Sequence, residues 1–554
     1  MEMENGASRR GEEVVNSAFK SEDYQTIDEV FRNAVADRND TASTKYTKVD
    51  NQADGQEVIL GYGATKSRDQ EASAEENKRT DEAVHVYPRR WLMLGLFCLY
   101  SFSNAVQWIH LNIIANVLDR YYNASLPTDG YERANAIDWL SMVFMLAYVP
   151  LIFPATWLLD KKGLRVCMVA GCFLNALAAW LKCASVGENL FGVLMVAQTV
   201  AAISQIWVLG IPARLAAVWF GPNEVSTATS LGVFGNQIGI AVGFLTPPEL
   251  VPNSADLDTI GTHLRNMFYG TAAITTAIFF VNLFFFQKEP PCPPSRAQQQ
   301  QLELEVNANY GKSLLKLFRN KGFFVLMISY GMNTGSFYAV STLLNNIILE
   351  YYPGEEENAG RIGLTLVLTG ILGAVAGGIW LDKTRTFKGT SLGIYLMTTA
   401  SMAAFAFTLD LGHLWIVFLT AGLLGLTMTG YLPVGFEFAA ELTFPESEGT
   451  SSGLLNASAQ IFGIILTMGM RAMMQNISVL WANITVTIIL FFGTIMTGFI
   501  HADYRRQAAN KEVTERMTNL EIEVDQPTSN WVKHLTPLDT DTEINNQDGL
   551  KTHL

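Results

Sequence analysis

Twelve stretches of about 20 or more predominantly apolar residues recur along the chain, and few other structures call for so many blocks of that length. A bilayer core about 30 Å thick needs roughly 20 helical residues to cross it. The stretches are 91–118, 137–159, 164–186, 190–213, 226–247, 266–287, 322–350, 361–381, 390–409, 413–435, 450–471 and 478–501. Backbone in lipid has to satisfy its own hydrogen bonds, so each stretch is read as a helix and the fold as an all-α membrane protein. Charged residues are 16% of the 554 and gather at the ends and between the blocks. The net charge of -14 therefore belongs to aqueous tails and loops, and argues against a nucleic-acid partner.

Short loops carry the orientation signal. Arg89 and Arg90, then Lys161, Lys162 and Arg165, then Lys383, Arg385 and Lys388, then Arg505 and Arg506 all fall on one side of a twelve-span chain. That side is expected to be cytoplasmic, with both termini on it. The plasma membrane is the expected location, and an organelle membrane the alternative. Opposite loops hold the sequon Asn123-Ala124-Ser125, the candidate glycosylation site, and the acidic run Glu355 to Glu357. No apolar segment precedes the first block, so the first span itself has to direct insertion. The five cysteines, Cys98, Cys167, Cys172, Cys183 and Cys292, offer neither an extracellular pair nor zinc spacing, so no metal and no cofactor are expected.

The chain divides into polar tails at 1–86 and 502–554, read as disordered and cytoplasmic, two six-helix parts at 87–287 and 322–501, and a Pro- and Gln-rich cytoplasmic linker at 288–321. The two parts echo each other. WLLDKKGLR (157–165) matches IWLDKTRTFK (379–388), with Asp160 and Asp382 separated by 222 residues. Pro212 and Pro433, Pro222 and Pro445, and Gln237 and Gln460 keep offsets of 221 to 223. Composition alone does not keep a constant offset, so the halves read as pseudo-repeats, the arrangement of a major facilitator fold with its site near midplane between them. Asp160 with Arg165, and Asp382 with Arg385, then form a candidate inner latch. Glu437, Glu441, Glu446 and Glu448 form a second cluster toward the same end.

Polar residues at bilayer depth are costly unless they face a lumen or a partner. Asn104, Trp108, Asn112 and Asn116 share one face of a continuous first helix, as Thr334, Tyr338, Ser341, Thr342 and Asn345 do in the seventh. Gln198 and Gln205 mark the fourth span and Ser452, Asn456 and Gln460 the eleventh. Trp108, Gln205, Tyr338 and Gln460 lie near their helix midpoints and form the candidate substrate site. Taken singly, a membrane Trp is more often packing and a membrane Gln more often interhelical glue; four together favour a site. No charged residue stands near a helix midpoint, which suits a diffuse organic cation held on aromatic faces. Without a titratable group the simplest mechanism is facilitated diffusion. Asp138 either caps the second helix or joins Asn116 and Asn345 in an outer gate. His110, His263 and His413 fall near outer ends and read as solvent-exposed.

Several runs carry a family resemblance: AIDWLSMVFMLAYVPLIFPATWLLD (136–160), VWFGPNEVSTATS (218–230), FYAVSTLLN (337–345), NAGRIGLTLV (358–367) and TGYLPVGFEFAAELTFPESEGTSSGLLNASAQIFG (429–463). Over about residues 87–501 the chain resembles the feline leukaemia virus subgroup C receptor family of the major facilitator superfamily. The resemblance implies transport of choline and ethanolamine, with haem export as an older assignment. It implies a choline site at Trp108, Gln205, Tyr338 and Gln460 and an outer gate at Asn116, Asp138 and Asn345. The chain departs from that pattern at His110 and Leu111. A monomeric uniporter in the lipid bilayer is the first expectation, a haem exporter the alternative, and a non-transporting receptor or scaffold the alternative of another class. An enzyme is disfavoured, since no nucleophile, base and oxyanion set is visible.

Overall fold

The computed structural model describes residues 86–508 apart from 222, 223, 293, 295–309, 445, 447 and 502. Of the tails, residues 1–85 and 509–554 lie outside the described residues, as do 293 and 295–309 of the 288–321 linker. What is described is helical. The first span is α1 (Arg89–Ile109), a short 3-10 turn at Asn112–Ile114, and α2 (Ala115–Tyr121). Then come α3 (Gly130–Lys162), α4 (Leu164–Ala184), α5 (Phe191–Trp219), α6 (Val225–Leu250) and α7 (Leu257–Phe285). Inside the expected linker lies α8 (Tyr310–Arg319), followed by α9 (Lys321–Tyr351), α10 (Glu356–Thr384) and α11 (Phe387–Thr408). The tenth span is α12 (Leu414–Met428) and α13 (Tyr431–Thr443), and α14 (Glu448–Asn476) and α15 (Val479–Phe499) complete the set.

Local chemistry sets the ends. Asp129 caps α3 by accepting from the Tyr131 and Glu132 amides at 3.0 Å each, and Asp256 caps α7 in the same way with Asp258 and Thr259. Gly163, at φ 80°, ends α3, and Arg385 ends α10 at φ 53°. Asp138 sits eight residues inside α3, so the capping reading of that residue is excluded.

Among the described residues eleven helices are long and apolar enough to cross a membrane. The remaining expected span is α9, 31 residues long and threaded with Ser329, Tyr330, Asn333, Thr334, Ser336, Ser341, Thr342 and Asn345, all buried. Its low hydropathy follows from its central place: it trades lipid contact for contact with other helices.

The pairing of helices repeats. In the first six spans α1 packs on α6, α3 on α5 and α4 on α7; in the last six α9 packs on α14, α10 on α12 and α11 on α15. Between the sets, α6 meets α10 and α3 meets α14. Close approach needs small residues. Along α6, Gly235, Gly239 and Gly243 face α1, and a Cβ at Gly239 would run into the Phe102 carbonyl. On α9, Gly335 faces Gly463, where a Cβ would come within 2.7 Å of the Gly463 amide.

One end of the bundle carries the 122–129 and 352–355 segments and is called the loop end; the other, where residues 86 and 508 stand, is the tail end. At the loop end the two sets are joined by polar bonds. Asn116 donates to Glu356 at 3.0 Å, Asn253 to the same Glu356 oxygen at 2.6 Å, Arg361 to Glu249 at 2.7 Å, and Asn345 to the Ile113 carbonyl at 2.7 Å.

Candidate functional site

Trp108 lies in the last turn of α1 and Tyr338 in the middle of α9. Their ring centroids are 5.5 Å apart with planes at 78°, an edge-to-face contact between the two sets of helices. Such pairs favour this geometry because the positive ring edge meets the negative face. Trp108 is buried and Tyr338 half-buried. The Tyr338 hydroxyl hydrogen-bonds the Gln460 side chain of α14. Three residues on, Gly463 leaves the room Tyr338 occupies: a Cβ there would sit 2.8 Å from Met145 Sδ and 3.3 Å from Tyr338 Cδ2. Gln205 of α5 is half-buried with a buried Oε1 that has no partner. Of the four expected residues, then, Trp108, Tyr338 and Gln460 form one chain of contacts, and Gln205 offers an unused acceptor.

The single stripe expected on the first span does not survive, because the helix breaks directly after Ile109. Asn104 turns inward, donating to Asn175 Oδ1 at 3.0 Å and the Ala201 carbonyl at 3.1 Å. Asn112, in the 3-10 turn, donates to the Ile137 carbonyl at 3.3 Å, and of the three asparagines Asn116 alone has a described bond to the other set. Gln198 is likewise structural, donating to the Leu140 carbonyl at 2.9 Å. His110 is corrected too: it is 1% exposed, its ring edge-to-face with Phe268 of α7. With α2 continuing the span to Tyr121, His110 lies well inside the bundle. His413 is exposed as expected, and His263 bonds the Leu250 carbonyl at 2.8 Å.

The sequence reading missed the strongest bond between the two sets. Arg471 of α14 grips Asp138 of α3 through Nε at 2.6 Å and Nη2 at 2.7 Å, and Nη2 also reaches Asn346 Oδ1 at 3.0 Å. Both charges are buried, at 5% and 1% side-chain exposure. Ser141 and Thr342 meet one turn further along at 3.0 Å. Lys182 of α4 was missed as well. It is 0% exposed and donates to Gln107 Oε1 at 2.9 Å.

At the tail end the side chains of Asp160 and Asp382, from the expected inner latch, lie outside the described residues. Arg165 donates to the Leu283 carbonyl at 3.3 Å, and the Arg385 carbonyl accepts from Gln507 at 3.4 Å. In the second cluster Glu441 accepts from the Gln507 amide at 3.2 Å, Glu437 lies 3.8 Å from Arg506 and Glu446 lies 3.4 Å from Lys316; the Glu448 side chain is outside the described residues. Asn123 is exposed, its Oδ1 accepting from Arg133 at 2.5 Å.

Two sets of membrane-length helices in one repeated pairing order, with buried aromatic and polar groups meeting where the sets face, define a membrane transporter of the major facilitator type rather than an enzyme. A profile of the Major Facilitator Superfamily matches residues 93–428. The chain belongs to the FLVCR family of that superfamily. It is 50% identical over 441 residues to choline/ethanolamine transporter FLVCR2 of Homo sapiens, covering 79% of this chain and 82% of that one. It is 52% identical over 431 residues to choline/ethanolamine transporter flvcr2a of Danio rerio, covering 78% and 90%. It is 50% identical over 424 residues to choline/ethanolamine transporter FLVCR1 of Felis catus, covering 76% and 74%. Solved structures share the fold at low identity. A bacterial homologue of the human lysosomal transporter Spinster, inward-facing and unoccupied, superposes with a TM-score of 0.59 at 14% identity, covering 76% of this chain and 99% of that one. The fucose:proton symporter FucP of E. coli gives 0.52 at 16% identity, covering 74% and 99%.

Proposed function

We propose that the chain is an alternating-access uniporter for choline and ethanolamine, with the cation held by Trp108 and Tyr338 and its hydroxyl end oriented by Gln205 and Gln460. The observation that carries this reading is the edge-to-face pair formed by one ring from each set of helices. A guest between them has to part the rings. Breaking one aromatic contact costs about 0.5–1.5 kcal/mol, whereas two cation–π contacts return about 0.5–2 kcal/mol each, more in a dry site. A quaternary ammonium, which cannot donate hydrogen bonds, therefore gains by replacing the ring-to-ring contact. The relatives named as choline/ethanolamine transporters support the same substrate class.

The halves at 87–287 and 322–501 rock about the site, with 288–321 as their linker. The loop end faces outward and the tail end, with both termini, the cytoplasm, across the plasma membrane. The loop-end bonds of Asn116, Asp138 and Asn345 then describe a closed outer gate. Among the described residues no carboxylate has a contact with the aromatic pair, and gradient and potential drive the flux; the potential contributes about 2.3 kcal/mol per 100 mV for a monovalent cation. Haem export, the alternative, loses its nearest histidine, because His110 turns toward Phe268.

The test is labelled choline uptake by cells expressing wild type, Trp108→Ala and Tyr338→Ala at matched surface levels. Wild type raises uptake and each variant loses most of it. Normal uptake by Trp108→Ala overturns the aromatic site. No choline uptake by wild type, together with haem efflux that excess choline does not inhibit, favours the alternative.

A further inference from the structure

Lys182, as fully buried among the first six spans as Asp138, touches neither Trp108 nor Tyr338 in any described contact. A lysine inside a membrane bundle is costly to bury and is kept where it has a partner and a task. Its partner is Gln107, the residue before Trp108. The bonds run on from there: Gln107 Nε2 donates to Asn175 Oδ1 at 2.9 Å and to the Asn175 carbonyl at 3.1 Å, and Asn175 Nδ2 donates to Ser103 Oγ at 2.9 Å.

Position gives this network its meaning. α1 stops one residue after Trp108, so the backbone ladder that would hold the last turn from its far side ends there. Packing of Val106 and Ile109 on Gly243 of α6 holds one side of that turn, and side-chain bonding to α4 holds the other. The Asn175 carbonyl only accepts, so it takes the Gln107 NH2 and leaves the Gln107 oxygen to the Lys182 Nζ donor. Beyond the break the span also reaches the other set, through Ile113 to Asn345 and Asn116 to Glu356, while Asn112 keeps a bond to Ile137 of its own set.

We infer that Lys182 is a positioning residue for substrate: through Gln107 it clamps the last turn of α1 to α4 and so fixes where Trp108 presents its ring. The inference deepens the aromatic-site reading and rests on it for its transport consequence; the clamp itself does not depend on which substrate is carried.

The experiment uses full-length protein in three variants: Lys182→Met, Gln107→Leu, and the two together. The double variant leaves no orphaned polar atom at this pair, so it protects against simple misfolding. Lys383→Met, an exposed lysine, is the control. Choline uptake is measured as KM and Vmax per surface molecule. Hydrogen exchange is followed in a peptide spanning 106–111. The expected result is a KM raised about tenfold, equivalent to about 1.4 kcal/mol, in Lys182→Met and in the double variant, with Vmax within about twofold and faster exchange at 106–111. An unchanged KM in folded Lys182→Met, or a wild-type KM in the double variant, overturns the clamp. If wild type takes up no choline, the substrate reading fails and exchange alone decides: faster exchange at 106–111 in Lys182→Met than in the control supports the clamp, and equal exchange overturns it.

Discussion

Replacing Asp138 by Asn should open the loop end, and the geometry sets the size of the effect. The carboxylate takes two short bonds from Arg471, at 2.6 and 2.7 Å, between groups with 1% and 5% side-chain exposure. Asparagine keeps the shape and removes the charge, which leaves the guanidinium buried and uncompensated. Breaking one side of a buried pair costs about 3–5 kcal/mol. In a state where α3 and α14 part at this end, both groups meet water, so the cost falls on the closed state alone. At 1.4 kcal/mol per decade, about 3 kcal/mol shifts the equilibrium by more than a hundredfold toward opening. The readout is modification of a cysteine placed at Ser141, buried against Thr342 in the closed form, by a membrane-impermeant thiol reagent, with the native cysteines replaced. Labelling should accelerate strongly in Asp138→Asn. It should fall back toward the wild-type rate in Asp138→Leu/Arg471→Met, because an apolar replacement of both partners removes the orphaned charge. Labelling in Asp138→Asn no faster than in wild type would refute the latch.

Other expectations follow from single features. Asn123→Gln should remove a glycan, seen as loss of an enzyme-sensitive gel shift; a shift that persists would move the glycan elsewhere. Gly239→Val should lower the yield of folded protein sharply, because its Cβ meets the Phe102 carbonyl, whereas Gly270→Val, with nothing within 4 Å of a Cβ, should leave yield near wild type. The Thr259 hydroxyl holds the Asp256 carboxyl below its ordinary value of 3.8. A depressed carboxylate stabilises above its unfolded value and loses that contribution as pH falls through the folded one. The melting difference between wild type and Asp256→Ala should therefore be full at pH 5 and shrink below about 3.8, and a constant difference would count against the cap.

How far the sequence disclosed this depends on whether a signal is local. Trp108 and Tyr338 were legible because an aromatic with polar neighbours interrupts an apolar run, and the repeat offset placed both on corresponding helices. Arg471 was not. It lies 11 residues beyond Gln460 at the edge of its apolar block, where a charge normally means the membrane surface, and its partner Asp138 is 333 positions away. Sequence spacing carries no information about that pairing; only the closed loop end brings the two together.

The break in the first span is the more instructive miss. Helix kinks are expected at Pro or Gly, and IHLNII at 109–114 has neither. A continuous helix would have put Asn104, Trp108, Asn112 and Asn116 on one face, which is how the stripe was read. The break instead divides their loyalties. Gln107 and Asn104 tie the tail-side part to α4 and α5, while Ile113 and Asn116 tie the loop-side part to α9 and α10. One span thus bonds to both sets of helices: Asn112 still bonds Ile137 of its own set, and the hydrogen bonds to the other set begin at Ile113. Opening the loop end has to break the bonds on the far side of that point, while those on the near side can persist. The ring can then stay with its own set while the outer segment lets go, which a rigid 30-residue helix would not permit.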